Sequence, residues 1–397
     1  MYPGLYHVLT TSGFLGAEAV TLLPRVETMV AVFYFGLFAA SFDFISGYTG
    51  YLSFGHAVFY GTGAYLVVLA ANGKVPFLPF DTPFMLLLLL AGVLAIVLAV
   101  VIGLVSFRLS GVYFAMITLG FAQVIYVFVR DWSFVSSSPR DGAAVVGPDG
   151  AAPPTFDIGV PFVDSLNLAI GQLAGDSVEG LFGVLSFSTA EVSYYMVGLV
   201  VLVCYLALQR IIHSPFGRVM IAIRENEERA RAVGYDTFRY KLAAFAVSGF
   251  FAGVAGALFA GFRRSVAPDN SLFFLVSGDA LLASIIGGFG TLAGPIFGRL
   301  FDESVREFLS KEGSGGGLLP YLREHLSQGT LDTVLFNGLT VQEAIETFLN
   351  GHASLYLGLL FVLFVLFVPN GLLGTLRDRL GGTVASQVSE RLSRLRR

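Results

Sequence analysis

The chain has 397 residues, 55% of them hydrophobic and 13% charged, with a formal net charge of −4 and a mean hydropathy of +0.75. An average soluble domain carries roughly a quarter charged residues, so this composition excludes an ordinary soluble fold and places the chain in a bilayer. Its one cysteine, Cys204, lies in an apolar run and reads as a small buried hydrophobe rather than half of a disulfide.

Taken in chain order, residues 1–27 form an N-terminal segment in which 5–23 are only moderately apolar and include Glu18. This stretch reads as an interfacial helix or a weak extra span, with no cleavable signal peptide evident. A first transmembrane half, 28–130, holds spans at 28–42, 57–71, 83–107 and 111–129. An exposed loop over 131–191 follows, rich in Ser, Pro, Gly and Ala at 136–159. The second half, 192–309, holds spans at 192–209, 242–262, 273–289 and 294–308, with a charged connection at 213–238. A surface excursion over 310–352 leads to a last span within 353–376 and a basic tail, 377–397. Runs of this length without charge must satisfy their own backbone groups in hydrocarbon, which selects helices. The expectation is an all-α, polytopic integral membrane protein with about nine transmembrane helices, some broken by Gly and Pro.

Charge placement orients these spans. Residues 210–241 carry seven Lys or Arg against four acids, and 377–397 carry six Arg against two acids, so both belong in the cytoplasm. Residues 131–191 carry eight acids and one base, and 301–352 carry eight acids and three bases, so both face outward. Alternating the side at each span reproduces this distribution, in a multi-pass cell membrane protein.

Two glycine-rich clusters stand out, one in each half. The first reads Gly47-Tyr-Thr-Gly50-Tyr-Leu-Ser53-Phe-Gly55-His56, continuing to Gly61 and Gly63; the second reads Gly287-Gly288-Phe-Gly290-Thr-Leu-Ala-Gly294-Pro295. Glycine in a helix interior costs about 1 kcal/mol relative to Ala, and Pro295 removes a backbone donor. Irregular backbone at membrane depth is tolerated where protein buries it or it lines a cavity, so the pair points to helix breaks beside a translocation path. Close packing through small residues is the competing reading for each glycine taken singly. His56 has no second ligand at metal spacing, and an interhelical hydrogen bond or a helix cap suits it better than a metal. No paired carboxylates, His cluster or activated nucleophile is visible, so neither a catalytic nor a metal site is expected.

The connection Ser214-Pro-Phe-Gly-Arg218-Val-Met-Ile-Ala-Ile-Arg224-Glu225-Asn226-Glu-Glu228-Arg-Ala-Arg-Ala-Val-Gly234 reads as a short charged helix between two spans. The three lysines, Lys74, Lys241 and Lys311, stand in no phosphate-cradling motif, so no nucleotide site is expected in this chain.

Together with Arg108-Leu-Ser-Gly-Val-Tyr-Phe-Ala-Met-Ile-Thr-Leu119, Tyr240-Lys-Leu-Ala-Ala-Phe245 and Val368-Pro-Asn-Gly-Leu-Leu-Gly374, these motifs occur in the order found in permeases of branched-chain amino-acid ABC importers. The chain resembles the second-permease type of that family over 28–374, with an eroded first span before Thr28 and a longer excursion at 310–350. The spacing Glu228-x-Ala230-x-x-x-Gly234 resembles the family's ATPase-docking loop, with Arg229 in place of the usual middle Ala. The resemblance implies an ABC importer permease fold and a transport subunit rather than an enzyme. Its implied partners are two ATPase subunits that bind ATP and Mg, a homologous permease and an extracytoplasmic solute-binding protein, with no nucleic acid. On this reading Arg218, Arg224, Glu225, Asn226, Glu228 and Gly234 couple to the ATPases, and branched-chain amino acids cross, with urea, short amides or another small solute as alternatives. A secondary transporter or channel is the rival class; the near absence of charge in the apolar runs weighs against it.

Overall fold

The computed structural model describes residues 2–3, 24–79, 82–146, 177–178, 187–310, 333–336, 339–341, 353–368 and 371–375. The N-terminal helix expected at 5–23, most of the 310–352 excursion and the basic tail lie outside these residues. The architecture is helical: α1 (Val26–Thr49), α2 (His56–Ala71), α3 (Phe84–Ser106), α4 (Val112–Arg130), α5 (Thr189–Ile212), α6 (Pro215–Glu225), α7 (Glu227–Ala232), α8 (Thr237–Arg263), α9 (Pro268–Ser271), α10 (Phe274–Gly287), α11 (Gly294–Ser310) and α12 (Ala353–Phe367). The described β-structure amounts to three two-stranded pairs of two or three residues per strand in the connections.

Seven stretches among the described residues are long and apolar enough to cross a bilayer: α1, α3, α4, most of α5, α8, α9 with α10, and Gly358–Thr375. The other two of the nine expected spans fall short for different reasons. α2 is apolar but has 16 residues, about 24 Å of helix against a hydrocarbon core of about 30 Å. α11 has 17 residues and carries Arg299, Asp302, Glu303, Arg306 and Glu307, so it is amphipathic rather than a lipid-facing rod.

Burial sorts the helices into an inner and an outer set. α1, α2 and α8 form the centre, where Phe38, Phe42, Val58, Phe59, Phe245 and Ala252 are fully buried. α3 instead exposes Leu89, Val93, Val97 and Val101 at four-residue spacing. An apolar stripe of that length belongs against hydrocarbon. α4, α5 and α12 expose similar faces through Met116 and Val124, Leu199 and Leu206, and Leu359 and Leu366.

The centre is tight because backbones touch. α8 packs against α1, α2 and α3, so helices of both halves share one core. A Cβ on Gly63 of α2 would lie 2.0 Å from the Gly253 carbonyl oxygen, and one on Gly256 would lie 1.8 Å from that of Tyr60. Both distances forbid a side chain. Gly61 and Gly63 therefore sit in a continuous helix as close-packing positions, while the chain break lies earlier, at 50–55.

Contacts between loops define two ends of the bundle. At one end Asn72 and Lys74 bond the backbone of residues 134–146, and Ala143–Ala144 pairs antiparallel with Ser265–Val266. At the other, which carries α6 and α7, Tyr51 meets Glu227 and Asp43 meets Gly290. The span directions read from the charge pattern require these same groupings.

Candidate functional site

The two glycine clusters meet at the end carrying α6 and α7. α1 stops at Gly50, whose φ of 79° is open to glycine without strain. The chain runs irregularly to Gly55 before α2 begins at His56. The N-terminus of α2 is held from across the bundle, with Ala57 N donating to Ser277 Oγ of α10 at 2.8 Å. In the second half α10 ends at Gly287 and α11 begins at Gly294, with Gly288 and Gly290 at φ of 126° and 76° between them. Added Cβ atoms on Gly287 and Gly298 would fall 1.7 Å from the Gly294 oxygen and 1.9 Å from the Ala283 oxygen, so the two helix ends lie against each other. Pro295 stands buried in the first turn of α11.

Between the breaks lies Asp43, which the span prediction missed because it ends at residue 42. Asp43 is fully buried, and its Oδ1 accepts a 2.9 Å hydrogen bond from Gly290 N. A Cβ on Gly47 would lie 2.6 Å from that Oδ1 and 2.8 Å from Gly290 Cα, so the site closes only around glycine. From outside, Arg224 Nη1 donates to the Gly47 carbonyl oxygen at 2.7 Å, while its Nη2 bonds Glu225 at 3.0 Å. Arg224, expected only to face a partner, thus also grips the end of α1. A lone acid just past an apolar run was the signal that could have found Asp43.

Local chemistry shapes the segment that carries Arg224. Ser214 caps α6 by accepting from Gly217 N, with Pro215 in the first turn. Val219, Met220 and Ile223 are the buried face of α6. Asn226 ends α6 and caps α7, accepting from Arg229 N at 2.8 Å. Arg218, Glu228, Arg229 and Gly234 are exposed, and Val233 and Tyr235 expose apolar surface at the tip. Glu228 makes no hydrogen bond or ion pair among the described residues.

Glu227, which the sequence reading passed over in favour of Glu228, faces the bundle instead. Its Oε1 accepts from Lys241 Nζ at 2.8 Å, from Thr237 Oγ1 at 2.9 Å and from Arg231 at 3.1 Å; its Oε2 accepts from Tyr51 Oη at 2.7 Å. Lys241 Nζ also donates to Tyr51 Oη at 2.9 Å and sits 4.6 Å from that ring's centre. α7, α8 and the α1–α2 break are thereby tied at one point.

Deeper in the bundle, His56 is fully buried and its Nε2 lies 3.1 Å from Ser41 Oγ and 3.2 Å from Ser248 Oγ. These are interhelical bonds to α1 and α8. Ser53 is buried beside the break. An aromatic block surrounds His56: Phe38 lies 4.7 Å from Tyr60, and Phe42 and Phe59 set their edges toward the imidazole at 5.7 and 5.4 Å. No metal-sized group of three or more His, Cys, Asp or Glu occurs among the described residues.

On the far side of this block a cavity of about 520 Å³ reaches toward the opposite end. Phe35, Tyr60, Phe259 and Val276 form its apolar part, and Arg263, Asp269, Asp279, Arg299, Glu303 and Arg306 its charged walls. Arg299 pairs with Asp302 at 2.6 Å and Glu303 at 2.9 Å, and its guanidinium stacks 4.1 Å from the Phe35 ring centre. The expectation of nearly charge-free spans holds for the apolar runs and misses these groups, which enter on α9, within α10, on α11 and at the end of α8. None of the glycines of the two clusters lines this cavity.

A family model described as the branched-chain amino acid transport system permease component matches residues 25–307. The high-affinity branched-chain amino acid transport system permease protein LivM of Salmonella typhimurium is 29% identical over 268 residues, 67% of this chain and 58% of that protein. The probable branched-chain amino acid transport permease protein LivH of Methanocaldococcus jannaschii is 30% identical over 148 residues, 36% of this chain and 44% of that protein. The xylose transport system permease protein XylH of Escherichia coli is 34% identical over 103 residues, 24% of this chain and 26% of that protein. The matched part of this chain spans less than two thirds of the length of each. No solved structure matches.

Proposed function

This chain belongs to the family of branched-chain amino acid transport permeases, and from that premise we propose that it is the multi-pass permease subunit of an ATP-driven importer for branched-chain amino acids. Separate ATPase subunits that bind ATP and Mg, a homologous permease and an extracytoplasmic binding protein complete the machine. The basic end is cytoplasmic, and the charged cavity opens outward.

The observation that carries this reading is the Arg224–Gly47 bond beside the Asp43–Gly290 bond. One cytoplasmic arginine holds the end of α1, and Asp43 of that same helix end holds the break of the second half. Movement of α6 and α7 by an ATPase therefore reaches both breaks through short, directional contacts rather than through a flexible loop. The exposed surface of Glu228, Arg229, Val233 and Tyr235 meets the ATPase, while Arg224 and Glu227 pass the motion inward. The aromatic block around His56 closes the path below an outward cavity, the arrangement alternating access requires of one state.

The test is co-purification with the ATPases and ATP-dependent leucine uptake in proteoliposomes. Glu228→Lys combined with Arg224→Glu is expected to abolish uptake and weaken assembly. Assembly and uptake both intact in that variant would remove the coupling assignment. Uptake by the chain alone, without ATPases, would favour the secondary-transporter reading.

A further inference from the structure

His56 is held by two hydroxyl groups whose own protons are already committed. Ser41 Oγ donates to the Phe38 carbonyl oxygen at 2.7 Å, and Ser248 Oγ donates to the Ser41 carbonyl oxygen at 2.6 Å. A serine hydroxyl has one hydrogen and a carbonyl can only accept, so both Oγ atoms are left as acceptors toward His56 Nε2, at 3.1 and 3.2 Å. These two longer contacts suit one N–H shared between two oxygens. Nε2 therefore carries the proton, and Nδ1 keeps a free lone pair.

That lone pair is unused. His56 is fully buried, and Nδ1 has no hydrogen-bond partner among the described residues. The rings packed on the imidazole are Phe38, stacked at 5.6 Å, and the edges of Phe42 and Phe59. None of them carries a donor. The opposite tautomer, or a doubly protonated ring, would bury an N–H there instead, and orphaned donors are the rarer of the two. Ser53 Oγ, buried at the break just before α2, is also without a partner. Buried polar atoms left unmatched in a native structure call for a functional account.

The place of His56 supplies one. Tyr60 lines the outward cavity, Phe38 packs on Tyr60 at 4.7 Å between ring centres, and His56 stacks behind Phe38. From this we infer that His56 is a specificity-determining residue of the passage: Ser41 and Ser248 fix its Nε2–H tautomer, and Nδ1 accepts a hydrogen bond from an N–H or O–H group of the solute that crosses the aromatic block. The inference rests on the transport reading above and adds the contact by which the passage discriminates. A solute that offers only acceptors leaves Nδ1 unmatched and is disfavoured for that reason.

The test is nitrogen NMR of the complete importer in lipid nanodiscs, with isotope-labelled histidine in this chain. Its five histidines are few enough to identify the His56 signals by their loss in His56→Gln. At rest Nε2 should be protonated and Nδ1 bare. Ser248→Ala should keep that pattern, whereas Ser41→Ala combined with Ser248→Ala removes both acceptors and should bring in the Nδ1–H form. During turnover with ATP, the binding protein and leucine as the probe, the Nδ1 signal should move to that of a hydrogen-bonded acceptor; with ATP and the binding protein alone it should stay. Glutamine supplies both an amide N–H and an oxygen, so His56→Gln should keep the maximal uptake rate within about threefold, whereas His56→Phe, which fills the ring space with neither group, should lower it by at least about tenfold. A proton on Nδ1 in the resting parent, an Nδ1 signal indifferent to leucine, or the same movement with ATP alone, which assigns the donor to water, overturns the inference. If the parent importer still takes up leucine in that case, the transport reading stands without it; absence of ATP-dependent uptake by the parent would remove both.

Discussion

Lys241 Nζ lies 2.8 Å from Glu227 Oε1, joining the first turns of α8 to the short helix α7 across the point where the polypeptide enters the bundle. Lys241 is buried and Glu227 mostly so, which makes the pair worth more than a surface salt bridge. Partial burial works against the Glu227 carboxylate. Hydrogen bonds from Lys241, Tyr51 and Thr237 outweigh that effect and hold its pKa down to about 2 from an ordinary 4.5. A carboxylate depressed in the folded state stabilises fully above its unfolded pKa and loses that contribution as pH falls through the folded value. The melting temperature of the purified chain should therefore be flat with respect to this group from about pH 6 to 8 and fall below about pH 4.5.

Glu227→Gln should flatten that acid limb. At neutral pH it should cost on the order of 2 kcal/mol, between the small value of an exposed pair and the several kcal/mol of a buried one. Because Tyr51 sits at the α1–α2 break, the same variant should lower ATP-dependent uptake more than assembly with the ATPases. An acid limb identical to the parent's, followed by circular dichroism, would show that the network contributes nothing.

The sequence made most of the helices legible because hydrocarbon leaves the backbone one choice over long apolar runs, as at 83–107 and 242–262. It also marked the two glycine clusters as special. It did not separate their two uses: Gly50 and Gly290 break helices, whereas Gly61 and Gly63 let α2 touch α8. Composition is the same in both cases, and only the partner backbone distinguishes them. Asp43 and Glu227 escaped notice for a related reason. A single acid next to a span reads as a boundary, and its inward direction is set by Gly290 and Lys241, 247 and 14 residues away in sequence.

The close approach of α2 and α8 gives a paired prediction. Gly63→Leu places carbon within 2.0 Å of a carbonyl oxygen, and overpacking of this kind costs at least about 1–3 kcal/mol. Backbone rather than a flexible side chain is in the way, so the helices must separate. Gly120→Ala on α4, where nothing lies within 4 Å of the added carbon, should be neutral or stabilise by up to about 1 kcal/mol. Thermal unfolding in detergent, followed for both variants, compares them directly; equal melting temperatures would contradict the helix contact.

Asp43 offers a test of the hydrogen bond apart from the charge. Asp43→Asn retains an oxygen that can accept from Gly290 N, whereas Asp43→Ala leaves a donor unsatisfied at a buried site, at about 1–3 kcal/mol. The alanine variant should lose ATP-dependent uptake and the asparagine variant should keep most of it. If the two behave alike, the contact between the breaks is not what transmits movement.

The aromatic block predicts where the path is shut. Phe38 is fully buried between Tyr60, Phe35 and His56, with ring centres 4.7, 5.4 and 5.6 Å away. Phe38→Ala removes the ring separating the outward cavity from the helix breaks, and should cost about 3–5 kcal/mol of stability. Stability alone does not distinguish a gate from a core residue. Phe84, buried at the start of α3, supplies the control: Phe84→Ala should destabilise comparably without opening the path. Efflux of preloaded labelled leucine from proteoliposomes in the absence of ATP should therefore rise several-fold for Phe38→Ala and stay at the parent level for Phe84→Ala. Equal efflux from both would place the closure elsewhere in the bundle.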